Sequence, residues 1–271
     1  MNRPGHVETV KPKNHHECAV VSGKTRLRLI ALAMLAAGVL SQAAGAKEGN
    51  MQSDTIKTAE GDLVMTFVGH GSLMMTFKGK TIHIDPVSVE ADYAKMPKAD
   101  LVLITHEHYD HLDLKAVDAV KTPATKIVCN SAASRQLPGA VVMKNGESKM
   151  VDGLSIEAVP AYNIKHMMEP GKPFHPKGVG NGYIVTFGDT RVYIAGDTEN
   201  IPEMKQIKEI DIAFLPMNLP YTMTPEMAAD AARSVRPKIL YPYHYGETDP
   251  SRLVSLLAGE KDIDVRIRDL K

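Results

Sequence analysis

Leu101 to Asp113 reads Leu-Val-Leu-Ile-Thr-His-Glu-His-Tyr-Asp-His-Leu-Asp, and it is the most informative stretch of the chain. It starts with an apolar run that has the length and branching of a buried strand. The run gives way to three imidazoles and a carboxylate, which are His106, His108, Asp110 and His111. Because burying such a group without partners is costly, a bound cation explains the pattern better than a core or a chance polar loop.

The spacing of these residues predicts two metal positions. His106 and His108 are two residues apart, so in an extended segment both point to the same side. Asp110 and His111 follow where the chain must turn, and they reach a second point. Neutral imidazoles and a carboxylate are ligands that a borderline cation such as Zn²⁺ accepts, and Mn²⁺ or Fe²⁺ also suits them.

The stretch resembles the signature of the metallo-β-lactamase superfamily, whose members are mostly metal-dependent hydrolases. Further matches come in the order of that family, so the likeness spans about Leu63 to Gly246. They are Gly69-His70-Gly71-Ser72, Asp85-Pro86, Ala195-Gly196-Asp197-Thr198 and Tyr243-His244-Tyr245. The Gly-His-x-Ser opening and Pro220-Tyr221-Thr222-Met223 look like the branch that includes ascorbate-6-phosphate lactonase-like proteins. The resemblance implies an α/β fold, the four-layer αββα sandwich.

The resemblance also implies how the ligands divide between two metal ions. His106 and His108 belong to the first position, and the second takes Asp110, His111 and His244. Asp197 is the expected bridge, because a carboxylate can place one oxygen in each coordination sphere.

The first position lacks its third protein ligand in this sequence. In much of the superfamily a histidine supplies it after the strand that corresponds to Leu154 to Val159, where this chain has Asn163. His175, in a proline-flanked and glycine-rich segment, is the leading substitute, and His166 is the second choice. A one-metal enzyme is the remaining alternative.

The predicted activity is hydrolysis of a small ester, lactone or phosphoester. Two cations ~3.5 to 4 Å apart would lower the pKa of a shared water from 15.7 toward about 7, with Asp110 orienting the resulting hydroxide. Tyr245 or Tyr221 is a candidate proton donor to the leaving group, although packing is the more common role of such tyrosines. His70 is either a neighbour of the metals or a turn residue.

The resemblance argues against β-lactams as substrates, since lactamases of this fold generally lack a bridge such as Asp197. The alternatives are a phosphodiesterase of the same fold and a metal-binding protein without turnover.

Residues 1 to 46 are predicted to be an N-terminal extension that ends in an export signal. Lys24, Arg26 and Arg28 precede the apolar stretch Leu29 to Leu40, which is too short for a comfortable membrane span. Ala44-Gly45-Ala46 then offers a cleavage site, which predicts a mature periplasmic or secreted protein starting at Lys47. An uncleaved anchor is the alternative.

The charge of the mature chain argues against nucleic acid as a partner. Residues 1 to 46 contain six Lys/Arg and two Asp/Glu, which leaves 26 basic and 30 acidic residues. No basic stripe remains to attract a phosphate backbone, so the expected partner is a small-molecule substrate. Cys129 is the one cysteine after cleavage and is predicted to lie in a buried strand.

The remaining pattern predicts a linker over 47–61 and a hydrolase domain over 62–271. Short apolar strands recur through the domain, and Thr224-Pro225-Glu226 has the features of a helix start, with Thr as the N-cap. The segment from Ala161 to Asn181 is the least regular and is predicted to shape the substrate site.

Overall fold

A computed structural model describes residues 51–271. The predicted export signal and its cleavage site after Ala46 lie outside the described residues. The described chain contains two seven-stranded sheets and a small separate hairpin. The first sheet has the spatial order β1 (Ser53–Thr58), β2 (Gly61–Gly69), β3 (Ser72–Phe77), β4 (Lys80–Ile84), β5 (Leu101–Ile104), β6 (Lys126–Cys129) and β7 (Val141–Val142).

The second sheet is formed by the later part of the chain. In chain order its strands are β8 (Ser148–Val151), β9 (Leu154–Ala161), β12 (Gly180–Phe187), β13 (Thr190–Ile194), β14 (Ile212–Pro216), β15 (Ile239–Tyr243) and β16 (Asp264–Val265). Their spatial order is β16-β15-β14-β13-β12-β9-β8. The hairpin between β9 and β12 consists of β10 (Met167–Glu169) and β11 (Lys172–Pro173).

Strand β5 explains why the sheets and helices form layers. Leu101 and Leu103 belong to the large core cluster that draws on both sheets. Val102 and Ile104 alternate with them and belong to a second cluster that includes helix α1 (Leu114–Val120). A strand buried on both faces must be apolar throughout, which accounts for the uninterrupted run in the sequence.

Helices cover the outside of the sandwich. Asp113 caps α1 by accepting a hydrogen bond from the Lys115 backbone N–H. Helix α2 (Pro225–Val235) begins as predicted, because the Thr224 side chain accepts from the Met227 backbone N–H and Pro225 occupies the first turn. A third helix, α3 (Ser251–Leu256), packs against α2. The predicted α/β sandwich is therefore confirmed.

The predicted linker over 47–61 is wrong for its second half, because β1 pairs with β2 from Ser53↔Thr66 to Thr58↔Gly61. The folded domain thus starts before residue 62. The side chains of β1 alternate between exposed and half-buried, and this weak polar alternation is what a loose linker also shows. Asp54 on β1 accepts hydrogen bonds from Arg268 and from the Tyr241 hydroxyl, which joins this edge strand to the second sheet.

Two further predictions concern single features of the described chain. Cys129 lies buried at the end of β6 as predicted, and burial raises the pKa of its thiol to about 11. Within residues 51–271, no helix combines the length and the apolar composition needed to cross a bilayer.

Candidate metal centre

The chemistry-bearing residues lie where strands of both sheets end. Asp85 follows β4 and the His106 motif follows β5, two parallel neighbours in the first sheet. Asp197 and His244 follow β13 and β15, which run parallel in the second sheet. Since the carboxyl ends of parallel strands share one edge of a sheet, the two edges meet and bring these side chains together.

His106, His108 and His175 form the first cluster. Each offers a ring nitrogen, and these nitrogens lie within 4.8 Å of one another. His175 Nε2 also lies 3.2 Å from Asp197 Oδ2. The structure therefore places His175 where the sequence analysis expected the missing third ligand, and cation binding there stays a prediction.

Asn163 holds the His175 ring in this position. Its Oδ1 accepts from the His175 backbone N–H at 2.9 Å and from His175 Nδ1 at 2.6 Å. A proton on Nδ1 leaves the lone pair of Nε2 directed into the cluster. The sequence identifies Asn163 only as the residue in place of a histidine ligand and does not reveal this orienting role.

The orientation of the Asn163 amide is itself determined by its surroundings. Its Nδ2 donates to the Tyr221 carbonyl at 2.8 Å and to Glu199 Oε1 at 3.2 Å. These two acceptors fix the amide so that Oδ1 faces His175.

Glu199 is fully buried and secures the start of the loop. Its carboxylate accepts from the backbone N–H groups of Ile164, Lys165 and His166 at 3.0, 2.8 and 2.6 Å. Burial raises the pKa of Glu199, but these hydrogen bonds outweigh it and hold the pKa below its ordinary value. Sequence reasoning missed Glu199, whose one signal is its position two residues after Asp197.

His166 lies apart from the clusters of metal-binding groups found among residues 51–271. Its Nδ1 is 2.6 Å from the Thr222 carbonyl, to which it donates. The second choice for the missing ligand is therefore bound to the backbone.

His70, Asp110 and His244 form the second cluster, again with ligand atoms within 4.8 Å of one another. Asp110 Oδ2 lies 3.5 Å from His70 Nε2 and 3.6 Å from His244 Nε2. The His70 and His244 rings pack together with centroids 3.8 Å apart. The structure thus brings His70, which the sequence left between two roles, directly to the site.

Asp197 lies between the two clusters, as the sequence analysis expected of a bridge. Its Oδ2 faces His175, while its Oδ1 lies 3.3 Å from His111 Nε2 and 3.5 Å from His244 Nε2. His111 also groups with His106 and Asp197 as a third set of potential ligands. One carboxylate therefore presents an oxygen to each side.

Asp85 orients His111 from behind. It accepts from His111 Nδ1 at 2.8 Å, from the Thr105 hydroxyl at 2.6 Å and from the Thr105 backbone N–H at 2.8 Å. A carboxylate that holds Nδ1–H directs Nε2 toward a metal, an arrangement common in metal sites. Gly71 permits the close packing, because a Cβ there would lie 2.9 Å from His111 Cε1.

The protonation states of most of these groups favour cation binding. Burial lowers the pKa of His108 and His244, and that of His106 falls well below its ordinary value, so these rings are neutral. Burial alone raises the pKa of Asp197, but His244 and His111 hold it well below the usual range. His111 differs: burial lowers its pKa, yet Asp197 and Asp85 raise it well above the ordinary value. A cation must displace that proton.

The strongest sign that the cluster suits a cation is a set of buried polar atoms without hydrogen-bond partners. The atoms that converge on the site are His106 Nε2, His111 Nε2, His244 Nε2 and Asp197 Oδ1. Buried polar atoms are normally paired, so four unpaired ones at one point need an explanation. Three imidazoles and a carboxylate form a donor set that transition metals accept.

The two candidate tyrosines have different surroundings. The Tyr245 hydroxyl donates to the Arg268 carbonyl at 2.8 Å, which is a structural contact. Tyr221 lines the cavity above the clusters and packs edge-on against Phe174.

Known proteins resemble this chain over most of its length. A family model described as "Beta-lactamase superfamily domain" matches residues 64–244. A UPF0173 metal-dependent hydrolase of Methanopyrus kandleri is 33% identical over 197 residues, which cover 69% of this chain and 85% of that protein.

Two solved structures are also similar. One is the crystal structure of a protein from Parabacteroides distasonis that is described as a metal-dependent hydrolase. It is 53% identical, with a TM-score of 0.79, and the match covers 82% of this chain and 100% of that one. The other, a metallo hydrolase from Ignicoccus hospitalis, is 28% identical, with a TM-score of 0.64 and coverages of 77% and 95%. The predicted superfamily is confirmed, while the ascorbate-6-phosphate lactonase-like branch stays a prediction.

Proposed function

Because the chain belongs to the Beta-lactamase superfamily domain family and to the UPF0173 metal-dependent hydrolases, we propose that it hydrolyses a small ester, lactone or phosphoester. The observation that carries the proposal is the convergence of His106 Nε2, His111 Nε2, His244 Nε2 and Asp197 Oδ1, all buried and without hydrogen-bond partners. A protein that only folds has no reason to leave these atoms unpaired.

Two cations fit the arrangement better than one. The first cluster offers three imidazoles, and the second offers Asp110 with His70 and His244. Asp197 supplies one oxygen to each side and His111 adds a further nitrogen. We infer zinc, because imidazole and carboxylate donors suit it, with Mn²⁺ or Fe²⁺ as alternatives.

Cations bound there would lower the pKa of a water from 15.7 toward about 7 and polarise the oxygen under attack. The residues of the chain orient the reactants. Asp110 is half-buried and lines the cavity, so its carboxylate can accept a hydrogen bond from the attacking water. Burial raises the pKa of Asp110, but the neighbouring His244 and His70 rings, 3.6 and 3.5 Å from its carboxylate, hold that pKa well below the usual range. Asp110 therefore remains an acceptor at neutral pH.

Metal analysis and a substrate panel test the proposal. We expect about two equivalents of a transition metal per chain after refolding with metal supplied, and turnover of at least one lactone, phosphodiester or thioester. Less than half an equivalent would overturn the metal assignment. Full metal content without turnover of any substrate would favour a metal-binding protein instead.

We also propose that the protein is exported, on the basis of Lys24, Arg26 and Arg28, the apolar stretch Leu29 to Leu40 and the small residues Ala44 to Ala46. N-terminal sequencing of the periplasmic or secreted protein should give Lys47 as the first residue. A cytoplasmic product that still begins at Met1 would contradict export.

A further inference from the structure

The two clusters open into a cavity of about 760 Å³, a volume that suits a small-molecule ligand. One wall of the cavity is the candidate metal site. The remaining walls include five apolar or aromatic side chains from separate segments of the chain, which are Val89, Tyr109, Met168, Phe174 and Tyr221.

These apolar side chains are unusually accessible. Tyr109 is 87% exposed, Val89 75%, Met168 61% and Tyr221 44%. Phe174 packs edge-on against Tyr221, with ring centroids 5.0 Å apart, and so extends the same surface. Single exposed apolar residues need no explanation, but several around one cavity mark a site that binds an apolar group.

The charged side chains that line this cavity within residues 51–271 are acidic: Glu90, Glu107, Asp110 and Asp197. Two basic side chains, Arg135 and Lys172, line the adjoining cavity, which shares Met168 and Phe174 with this one. Sites that select phosphate groups generally use arginine or lysine side chains. An anionic group in this cavity would therefore lie beside carboxylates, and no lysine or arginine among the described lining residues would neutralise it.

We propose that the substrate is an uncharged carboxylic ester or lactone whose hydrocarbon or aryl group lies against Val89, Met168 and Phe174. This inference rests on the proposed hydrolase function and narrows it. In the reaction, a water oxygen bonds to the carbonyl carbon and the bond from that carbon to the alcohol oxygen breaks. One proton of the water goes to the departing alkoxide, and the acid releases the other to solvent.

The first test compares substrates and inhibitors on the metal-loaded full chain. The substrates are 4-nitrophenyl acetate, butanoate and hexanoate, with bis(4-nitrophenyl) phosphate as the charged counterpart. Rate enhancements over the uncatalysed reactions should be larger for the carboxylic esters. kcat/KM should rise about two- to four-fold for each methylene group, four-fold corresponding to full burial. In binding measurements, hexyl trifluoromethyl ketone should bind at least about ten-fold more tightly than hexylphosphonate.

The second test uses a pair of neighbouring methionines. Met167 and Met168 lie on the same strand of the hairpin and both are exposed, yet only Met168 lines the cavity. Met168→Ala should reduce the preference for hexanoate over acetate about three- to ten-fold, whereas Met167→Ala should leave it unchanged.

A third test adds the missing positive charge. Val89→Lys places an ammonium group at the rim of the cavity, and Val254→Lys places one on α3 outside the cavity lining. Only Val89→Lys should tighten phosphonate binding, by about three-fold or more.

The outcomes separate this inference from the proposed function. A larger rate enhancement for the phosphodiester, no effect of chain length and tighter binding of the phosphonate would overturn the neutral substrate and leave the hydrolase standing. Absence of turnover of every ester by fully metal-loaded protein would overturn the proposed hydrolase and this inference with it.

Discussion

The first and second clusters reach similar donor sets by different routes. The second cluster takes its groups from segments that follow three strands of the two sheets, with His70 after β2, Asp110 after β5 and His244 after β15. The first cluster takes His175 from the irregular segment between β9 and β12, and the ring depends on Asn163 for its orientation.

The difference shows how a chain can move a ligand without moving the site. Asn163, two residues after the end of β9, turns its oxygen toward His175 instead of binding in the cluster itself. Its amide nitrogen is held by Glu199 and the Tyr221 carbonyl. A ligand on a loop thus needs a network of buried hydrogen bonds to hold it in place. Substitutions in that network should therefore disturb the first cluster more easily than the second.

The largest effect is expected from a substitution that disturbs metal binding at both clusters. Asp197→Ala removes the carboxylate whose oxygens face both sides, so metal content should fall well below two equivalents and kcat/KM by about 10³-fold or more. Asp118→Ala, on the exposed side of α1, should behave like the wild type. Retention of two tightly bound metals in Asp197→Ala would contradict the bridging role.

Substitution of His175 should disturb the first cluster alone. His175→Ala should lose about one of two metal equivalents and reduce activity about 10²-fold, because a first-cluster cation would keep only two imidazoles. His166→Ala should retain both metals, since its Nδ1 donates to the Thr222 carbonyl. Metal analysis together with kinetics distinguishes the two variants. Near-wild-type metal content in both His175→Ala and His166→Ala would exclude His175 as a ligand.

Asn163→Ala should weaken metal binding at the first cluster about 10- to 100-fold, the effect expected when a residue that orients a ligand is lost. Binding at the second cluster should be unchanged. Asn145→Ala is the control, because Asn145 is half-buried and donates hydrogen bonds near the end of β9, none of them to a candidate ligand. Titration of the metal-free proteins measures the two affinities separately. Equal losses at both clusters would indicate a general structural defect.

His70→Ala should produce the complementary result in the second cluster. His70 lies 3.5 Å from Asp110 and packs on the His244 ring, so its loss should weaken the second metal about ten-fold. The first cluster, which His70 does not join, should keep its affinity. Loss confined to the first cluster would contradict the assignment of His70.

The sequence predicted those parts of the fold and site that local patterns encode. The apolar β5 run followed by the histidine motif, the Thr224 cap of α2 and the Asp197 position are each determined by a few consecutive residues. Asn163 and Glu199 were missed because their roles depend on partners 12 to 58 residues away. Strand β1 was missed for a different reason, because its side chains alternate only between exposed and half-buried, a weak pattern that a linker also shows. The contact of Asp54 with Arg268, 214 residues along the chain, is not visible in the sequence.

The smallest expected effect concerns β1 and provides a control for the cluster comparison. Asp54→Asn removes the charge that pairs with Arg268 at 2.7 and 3.0 Å. The free energy of unfolding of the metal-free protein should fall by about 1 to 2 kcal/mol, or about 2 to 8 °C in Tm. The affinities of both clusters should stay equal to those of the wild type, because Asp54 belongs to neither cluster.

The effect of Asp54→Asn on the free energy of unfolding depends on pH through the pKa of Asp54. Burial raises that pKa, but the hydrogen bonds from Tyr241 and Arg268 outweigh burial and hold it below its ordinary value of 3.8. A lowered pKa in the folded state stabilises the protein fully above the unfolded-state pKa of about 3.9, and this contribution is lost as pH falls through the folded-state pKa. The difference in the free energy of unfolding between wild type and Asp54→Asn should therefore be constant from pH 7.5 to about pH 5 and should become smaller at lower pH. Urea titrations at a series of pH values measure it. Asp62→Asn, which removes an exposed pair with Lys57 on the neighbouring strand, should change stability much less. A difference that grows toward low pH would show that the Asp54 carboxylate does not stabilise β1.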